Sequence, residues 1–240
     1  MRLILVRHAL PFRALPTSVG GPAVGGPAVG ENPAAGGGAV PDPAATPGNG
    51  ADPGLTELGH RQAARVVDAL AGEPVTAIYS SPMRRARETA DPLVTARGLA
   101  PVILPGLAEY DSGLSHYIPV HEMARLDPMA WQRMLAGQLP AEVDVAAFTD
   151  RVERAVALIT DAHPGTATVA CFAHAGTINV YLAALLGLSR PLTFPLDYTG
   201  ITRVTVSRDG RRTVRTVNEF AHVADLLDPA NAGVTTDPGA

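Results

Sequence analysis

The chain has 240 residues, 46% of them apolar, which is enough for one α/β domain with a substantial core. Its formal net charge of -4 is mild, so nothing points to nucleic acid or an anionic membrane as a partner. All nineteen basic residues are arginine. The absence of lysine excludes Schiff-base chemistry and lysine-based phosphate clamps.

The cysteine content and the apolar segments indicate the compartment. Cys171 is the single cysteine and cannot form an internal disulfide, which favours a reducing environment. It lies in an apolar segment, so we expect a small core residue. The N-terminal apolar run is too short for a signal peptide, and no segment reaches the length of a membrane span. These features predict a soluble, cytoplasmic protein and leave its oligomeric state open.

The first eight residues contain the most informative stretch of the chain. Leu3 to Val6 form a continuous apolar run, which predicts a short strand buried on both faces of a parallel sheet. Arg7 and His8 follow at its carboxyl end, the edge where open α/β sheets bind ligands. A neutral imidazole can attack phosphorus, and a guanidinium can hold two phosphoryl oxygens. By itself the pair fits either a phosphate site or an ordinary surface Arg-His pair.

Residues 14 to 54 interrupt this pattern. They are dominated by glycine, proline and alanine, with Gly-Gly-Pro-Ala-Val repeated at 20 to 24 and 25 to 29. Such a stretch has few large apolar side chains to offset its ordering entropy, so we expect a mobile insertion. Its position beside Arg7 and His8 is compatible with a lid, although a neutral loop is the favoured interpretation.

Helices and strands alternate after the insertion. Hydrophobic periodicity and turn residues predict, in order, a helix at Leu55 to Ala71, strands at Val75 to Tyr79 and Pro101 to Leu104, helices at Met123 to Leu135 and Val145 to Ile159, a strand at Thr166 to Ala173, a helix at Ile178 to Leu186, and a hairpin of Thr202 to Ser207 with Thr213 to Val217. This order predicts an α/β three-layer sandwich, with a mostly parallel mixed sheet flanked by helices. We expect one domain over residues 1–226 and a disordered tail over 227–240.

A helix is predicted to follow the strand that ends at Tyr79. Ser81 is a suitable N-cap and Pro82 suits the first helical position. Arg84 and Glu88 have the spacing of a surface ion pair on a helix. Pro92 falls inside the helix and is expected to kink or interrupt it.

His174 stands directly after the strand Thr166 to Ala173, as His8 stands after the first strand. A lone histidine in such a position is more often structural than functional. Here the carboxyl ends of parallel strands meet at one edge, so we expect His174 to lie near Arg7, His8 and Ser81.

Five motifs extend this interpretation. In chain order they are Leu5-Val6-Arg7-His8-Ala9, Leu55-Thr56-Glu57-Leu58-Gly59, Ser81-Pro82-Met83-Arg84-Arg85-Ala86-Arg87-Glu88-Thr89-Ala90, Leu107-Ala108-Glu109-Tyr110 and Cys171-Phe172-Ala173-His174-Ala175-Gly176. Together they resemble the histidine phosphatase superfamily, in its phosphoglycerate-mutase-like branch. The resemblance runs from the first residue to about His222, interrupted by the insertion.

The resemblance implies roles for particular residues. His8 would be the nucleophile that becomes phosphohistidine, and Arg7, Arg85 and His174 would bind the phosphoryl group. Alignment of the motif selects Arg85 rather than Arg84 or Arg87. In this mechanism no metal or cofactor is expected, because the guanidinium groups supply the electrostatic stabilisation, and the expected partner is a small phosphorylated substrate. Ala9 and Ala175 stand where family members often have glycine.

The general acid is assigned with one alternative. The pattern Leu-x-Glu selects Glu109, and Asp111 is the second candidate. In the phytase-like branch the acid is an aspartate directly after the second histidine, but this chain has Ala175 there. For Glu109 to act near neutral pH its pKa should be raised by burial or by a neighbouring carboxylate, and Asp111 is a candidate neighbour. In the loop that follows, His116, Tyr117 and His121 could line the mouth of the site.

The resulting hypothesis is a metal-independent phosphatase that hydrolyses a phosphomonoester. A phosphoglycerate-type mutase is the first alternative, but relatives with that activity carry a basic, aromatic segment after the acid. This chain has Tyr110-Asp111-Ser112-Gly113-Leu114 instead. A non-catalytic binder of phosphorylated ligands is the second alternative, and retention of both His8 and Glu109 disfavours it.

Overall fold

The computed structural model describes residues 1–14 and 51–227. In this part of the chain six strands form one sheet, in the order β3-β2-β4-β1-β5-β6. The four strands from β3 to β1 are mutually parallel, and β5 and β6 are antiparallel to their neighbours. The strands are β1 (Arg2–Arg7), β2 (Val75–Ser80), β3 (Val102–Ile103), β4 (Thr168–Ala173), β5 (Ile201–Val206) and β6 (Arg212–Glu219).

Helices cover both faces of this sheet. One face carries α1 and α2, and the opposite face carries α5 and α6. The helices are α1 (Glu57–Ala69), α2 (Arg84–Arg97), α3 (Val120–Leu126), α4 (Pro128–Leu135), α5 (Val145–Ala162) and α6 (Ala175–Leu186). The predicted three-layer α/β sandwich with a mostly parallel mixed sheet is confirmed.

The burial of β1 explains its continuous apolar run. Leu3 and Leu5 pack in the core that includes α5 and α6, whereas Ile4 and Val6 pack in the core that includes α1 and α2. Successive side chains of a strand point to opposite faces, so a strand covered on both sides is apolar at every position. Cys171 in β4 is fully buried, and burial raises the pKa of its thiol. It is the core residue predicted from the sequence.

Three local predictions were wrong in whole or in part. The helix after β2 begins at Arg84 with Met83 as its N-cap, because the Ser81 hydroxyl instead accepts from Met83 N within a turn. That helix continues through Pro92, so the predicted interruption is wrong, while the predicted kink stays a prediction. The single helix predicted from Met123 to Leu135 is two helices that meet at Asp127, since Pro128 cannot continue a helix and instead begins the next one.

Most of the predicted insertion, residues 15–50, and the tail from residue 228 lie outside the described residues. The flanking residues contact the loop that carries Glu109. Ala14 and Tyr117 exchange two backbone hydrogen bonds, of 3.1 and 2.6 Å, and Ala51 N donates to the Leu114 carbonyl at 2.6 Å. Among the described helices, none is long and apolar enough to cross a membrane.

Candidate active site

Three neighbouring parallel strands end at the same edge of the sheet. His8 follows β1, His174 follows β4 and Ser81 follows β2. The sheet ladder extends into these residues, because His8 N donates to the Ala173 carbonyl and Ser81 N donates to the Phe172 carbonyl, each at 2.9 Å. The rings of His8 and His174 come to 5.2 Å between centroids. The edge predicted from the sequence therefore brings both histidines together.

His8 is held in a single tautomer. Its Nδ1 lies 2.8 Å from the Ala9 carbonyl oxygen. A carbonyl oxygen can only accept, so Nδ1 carries the proton and Nε2 carries the lone pair. Burial, with the positive charges of Arg85 and Arg7, holds the pKa of His8 well below its ordinary value. The ring is therefore neutral at physiological pH, with a free nitrogen suited to nucleophilic attack.

His174 is fully buried beside His8. Its Nε2 lies 2.7 Å from the Ser81 hydroxyl, and its Nδ1 has no hydrogen-bond partner among the described residues. Burial and the positive charges of Arg85 and Arg7 lower its pKa well below the ordinary value, so this ring is also neutral. A neutral His174 can contribute one hydrogen bond to a phosphoryl oxygen, but no full charge.

Arg7 supplies the first buried cation of the site. One of its Nη atoms donates to the Leu196 carbonyl, and its guanidinium lies 4.0 Å above the centroid of the Tyr198 ring. Its Nε is buried and has no partner among the described residues. The carbonyl and the aromatic face fix the plane of the guanidinium, which leaves donors oriented for an anion.

Arg85 supplies the second cation and is fully buried. Its Nη2 donates to both carboxylate oxygens of Asp111, at 2.8 and 3.0 Å, and its guanidinium lies 4.4 Å above the Tyr117 ring. Burial alone would lower the pKa of Arg85, but Asp111 and further groups raise it, so the residue stays charged. Nε and Nη1 have no partner in the described chain.

Arg84 and Arg87, the other two arginines of the motif, lie at the surface as predicted. Arg84 Nε donates to Glu88 at 2.6 Å, in the i,i+4 ion pair expected on the helix surface. Arg87 is exposed. Of the three arginines, only Arg85 points into the molecule.

Glu109 is the buried carboxyl group of the site. Gly176 N donates to its Oε2 at 2.7 Å and Tyr110 N donates to its Oε1 at 3.1 Å. Burial, and after it the negative charge of Asp111, raises the pKa of Glu109 to about 7. A carboxyl group with this pKa can donate a proton near neutral pH and take one back.

Replacing Gly176 with alanine should impair Glu109 specifically. A Cβ at this position would overlap Oε1 of Glu109, so the carboxylate would have to move. We expect kcat to fall by at least about tenfold without loss of folding, because a misplaced acid transfers its proton poorly. The matched control is Gly72→Ala, where a Cβ would meet no atom of the described chain within 4 Å. Equal loss of activity in both variants would contradict this role of Gly176.

Replacing Asp111 with asparagine should shift the pH profile. Asp111 is a cause of the raised pKa of Glu109, so the variant should lose protonated Glu109 at lower pH than the wild type. The descending alkaline limb of kcat/KM should therefore move to lower pH. Glu142→Gln is the control, since Glu142 is an exposed carboxylate that also lines the cavity. An unchanged limb in the Asp111 variant would refute this coupling.

Arg7, His8, Arg85, Glu109 and Asp111 line one cavity of about 1500 Å³. Within the described chain His174 lies beside this cavity and is not among its lining residues. His116, Tyr117 and His121 also line the cavity, as proposed for the mouth of the site. Among the described residues, no three His, Cys, Asp or Glu side chains are grouped in a way that could hold a metal ion.

Sequence reasoning missed Tyr198, whose ring lies under Arg7 and 5.8 Å from the ring of His8. It belongs to an irregular loop with no motif, so no sequence signal could have identified it. The next residue, Thr199, has a positive φ of 58°. This conformation is unusual for a β-branched residue, and such strain is retained where the surrounding structure requires it.

The family model of the histidine phosphatase superfamily (branch 1) matches residues 43–219. The chain therefore belongs to this superfamily, as the five motifs predicted. The matched range begins after Arg7 and His8, whose place in the site comes from the geometry of β1.

Similar proteins include mycobacterial proteins longer than this chain and a phosphoserine phosphatase. The PE-PGRS family protein PE_PGRS11 of Mycobacterium tuberculosis is 31% identical over 201 residues, covering 70% of this chain and 34% of that protein. Phosphoserine phosphatase 1 of Hydrogenobacter thermophilus is 24% identical over 189 residues, covering 76% of this chain and 89% of that protein. The chain spans 34% to 49% of the length of the first mycobacterial relatives that it matches.

Solved structures share the fold at lower identity. A phosphoserine phosphatase mutant from Entamoeba histolytica in complex with phosphoserine has a TM-score of 0.62 at 19% identity, covering 92% of this chain and 98% of that chain. A mycobacterial glucosyl-3-phosphoglycerate phosphatase has a TM-score of 0.62 at 22% identity, covering 90% and 98%. Phosphoserine phosphatase 1 and these two solved proteins are each described as phosphatases.

Proposed function

We propose that the chain is a metal-independent phosphatase that hydrolyses a small phosphomonoester through a phosphohistidine intermediate. The observation that carries the proposal is the state of His8, a buried neutral imidazole whose Nδ1–H is bound to the Ala9 carbonyl. This leaves the Nε2 lone pair beside two buried guanidinium groups, those of Arg7 and Arg85. A nucleophile next to fixed positive charge is what attack on a phosphoryl group requires.

In the first step Nε2 of His8 attacks phosphorus, and the bond from phosphorus to the ester oxygen breaks. Glu109, protonated because of its raised pKa, transfers its proton to that oxygen, so a neutral alcohol leaves. Arg7 and Arg85 neutralise the charge that spreads over the remaining phosphoryl oxygens. His174 adds a hydrogen bond in this proposal.

In the second step Glu109 is a carboxylate and acts as a base. It takes a proton from a water molecule, whose oxygen attacks phosphorus while the bond to His8 Nε2 breaks. Inorganic phosphate leaves, and both His8 and Glu109 return to their starting states. The single buried cysteine is consistent with a reducing cytoplasmic location, which we include in the proposal.

The test is release of inorganic phosphate from p-nitrophenyl phosphate, phosphoserine and 3-phosphoglycerate, each in excess EDTA. Turnover that survives EDTA, with label from H₂¹⁸O in the released phosphate, supports a metal-independent phosphatase. Interconversion of phosphoglycerate isomers without phosphate release would instead establish the mutase. Tight binding of phosphate with no turnover of any ester would establish the non-catalytic binder and refute the proposal.

A further inference from the structure

The helices α3 and α4 form a cap whose packing is incomplete; we call residues 120–135 the helical cap. Within the described chain α3 and α4 pack against each other, and neither makes an extended contact with a strand or helix of the sandwich. Glu122 is the only buried residue of α3, and α4 has no buried residue. A helix pair in a stable domain normally buries its apolar face, so the covering of this face needs an explanation.

The apolar face of the helical cap lines the catalytic cavity. Its half-buried lining residues are Met123, Trp131, Met134 and Leu135. Apolar side chains outside the cap line the same cavity, namely Tyr110, Phe148, Leu192 and Phe194. At about 1500 Å³ the cavity has far more room than a phosphoryl group fills, because pockets for small ligands are typically about 300–1,000 Å³.

Within residues 1–14 and 51–227, the charged side chains that line the cavity away from His8 do not form a second anion site. Arg151 donates to the carbonyls of Pro105 and Gly106 and lies over the Phe148 ring. The other charged residues that line this part of the cavity are of both signs. Arg154 and Arg190 are positive, and the acidic residues are Asp127, Glu142, Asp144 and Asp197. A substrate with a second phosphate or carboxylate would gain little from such a rim.

We propose that the preferred substrates are phosphomonoesters of bulky apolar or aromatic alcohols, with the alcohol portion held between the helical cap and the opposite apolar wall. The inference rests on the proposed function, because the phosphoryl group must be anchored at His8, Arg7 and Arg85. The same cavity then continues from the anchored phosphorus to the apolar surfaces, so the ester group enters them directly. Water is displaced from the cap face only when such a substrate is bound.

The values of kcat/KM for a homologous series of n-alkyl phosphates, from methyl to octyl, test this substrate preference directly. We expect kcat/KM to rise roughly two- to fourfold per methylene group, because each buried methylene adds hydrophobic transfer free energy. Trp131→Ala should flatten this dependence on chain length. Met129→Ala is the matched control: Met129 lies on the same helix but is 82% exposed, so the slope should persist. A flat series in the wild type, or a preference for phosphoserine over octyl phosphate, would overturn the inference.

Binding of n-alkyl phosphonates separates this inference from the catalytic proposal. Phosphonates cannot be hydrolysed, and Trp131, the single tryptophan of the chain, reports on the cap by its fluorescence. We expect Kd to fall with chain length, together with a blue shift of the emission. Length-dependent binding without turnover of any ester would refute the catalytic proposal alone. Turnover of small esters, together with binding that does not depend on chain length, would refute the inference alone. Emission that depends only on protein concentration would also refute it, because a second copy would then cover the cap.

Discussion

His8→Ala is expected to lower phosphatase turnover by roughly four to six orders of magnitude, because the nucleophile is lost while the binding groups remain. The variant should also incorporate no radioactive phosphate into alkali-stable phosphohistidine. Binding of inorganic phosphate should persist, since Arg7 and Arg85 keep their contacts with Leu196, Tyr198, Asp111 and Tyr117.

The matched control is His60→Ala, which removes an exposed histidine from α1 and should leave turnover unchanged. Added imidazole provides a second check, because His8 lines the cavity and its removal opens space for a free imidazole beside the arginines. Partial rescue by imidazole would identify the missing group as the nucleophile. Retained phosphohistidine in the His8 variant would show that another histidine is the phosphorylated residue.

Glu109→Gln is expected to lower kcat by roughly 10²- to 10⁴-fold for esters with poor leaving groups, since the alcohol must then leave without a proton. The loss should be much smaller for the first step with p-nitrophenyl phosphate, whose leaving group departs as a stable anion. The control Glu142→Gln alters an exposed cavity carboxylate and should behave as the wild type. An equal loss in the rate of the first step with both kinds of ester, measured as release of the alcohol before the phosphohistidine is hydrolysed, would assign Glu109 a structural role and favour Asp111 as the acid.

The expected pH profile depends on the protonation states of Glu109 and His8. Glu109 must be protonated to act as the acid, so kcat/KM for an alkyl phosphate should be high below pH about 7 and fall above it. His8 must be neutral, and its lowered pKa keeps it so on the acid side of its ordinary value. The alkaline limb should vanish in Glu109→Gln. Its persistence there would assign the limb to another group.

The sheet and the site edge could be predicted from the sequence because they depend on local patterns. A strand covered on both faces is apolar throughout, as in Leu3 to Val6, and the polar residue after it stands at the carboxyl edge. Once β1, β2 and β4 were identified as parallel strands, Ser81, His174 and His8 had to meet. The raised pKa of Glu109 was also predicted, from burial or a neighbouring carboxylate; both contribute, and burial is the larger cause.

Other features depend on contacts that the local sequence does not encode. The start of α2 depends on whether Ser81 caps a helix or a turn, and its hydroxyl is used instead by Met83 N and by His174. Tyr198 reaches Arg7 only because an irregular loop returns across the sheet edge. Pro128 indicates the division of the helical cap at Asp127, but the helix-forming residues on both sides of it favoured the prediction of a single helix.

The central position of β1 has a consequence for how the enzyme is made. Its two ladder partners are β4 and β5, and Arg2 contacts Thr168 across a sequence separation of 166 residues. During synthesis the first apolar strand must therefore wait, without its partners, until most of the chain has left the ribosome. Pairings this distant form slowly, so His8 and His174 become neighbours only late in folding. The residues of the candidate site are thus assembled only when the whole sandwich has formed, and nascent chains that end before β4 should lack the assembled site.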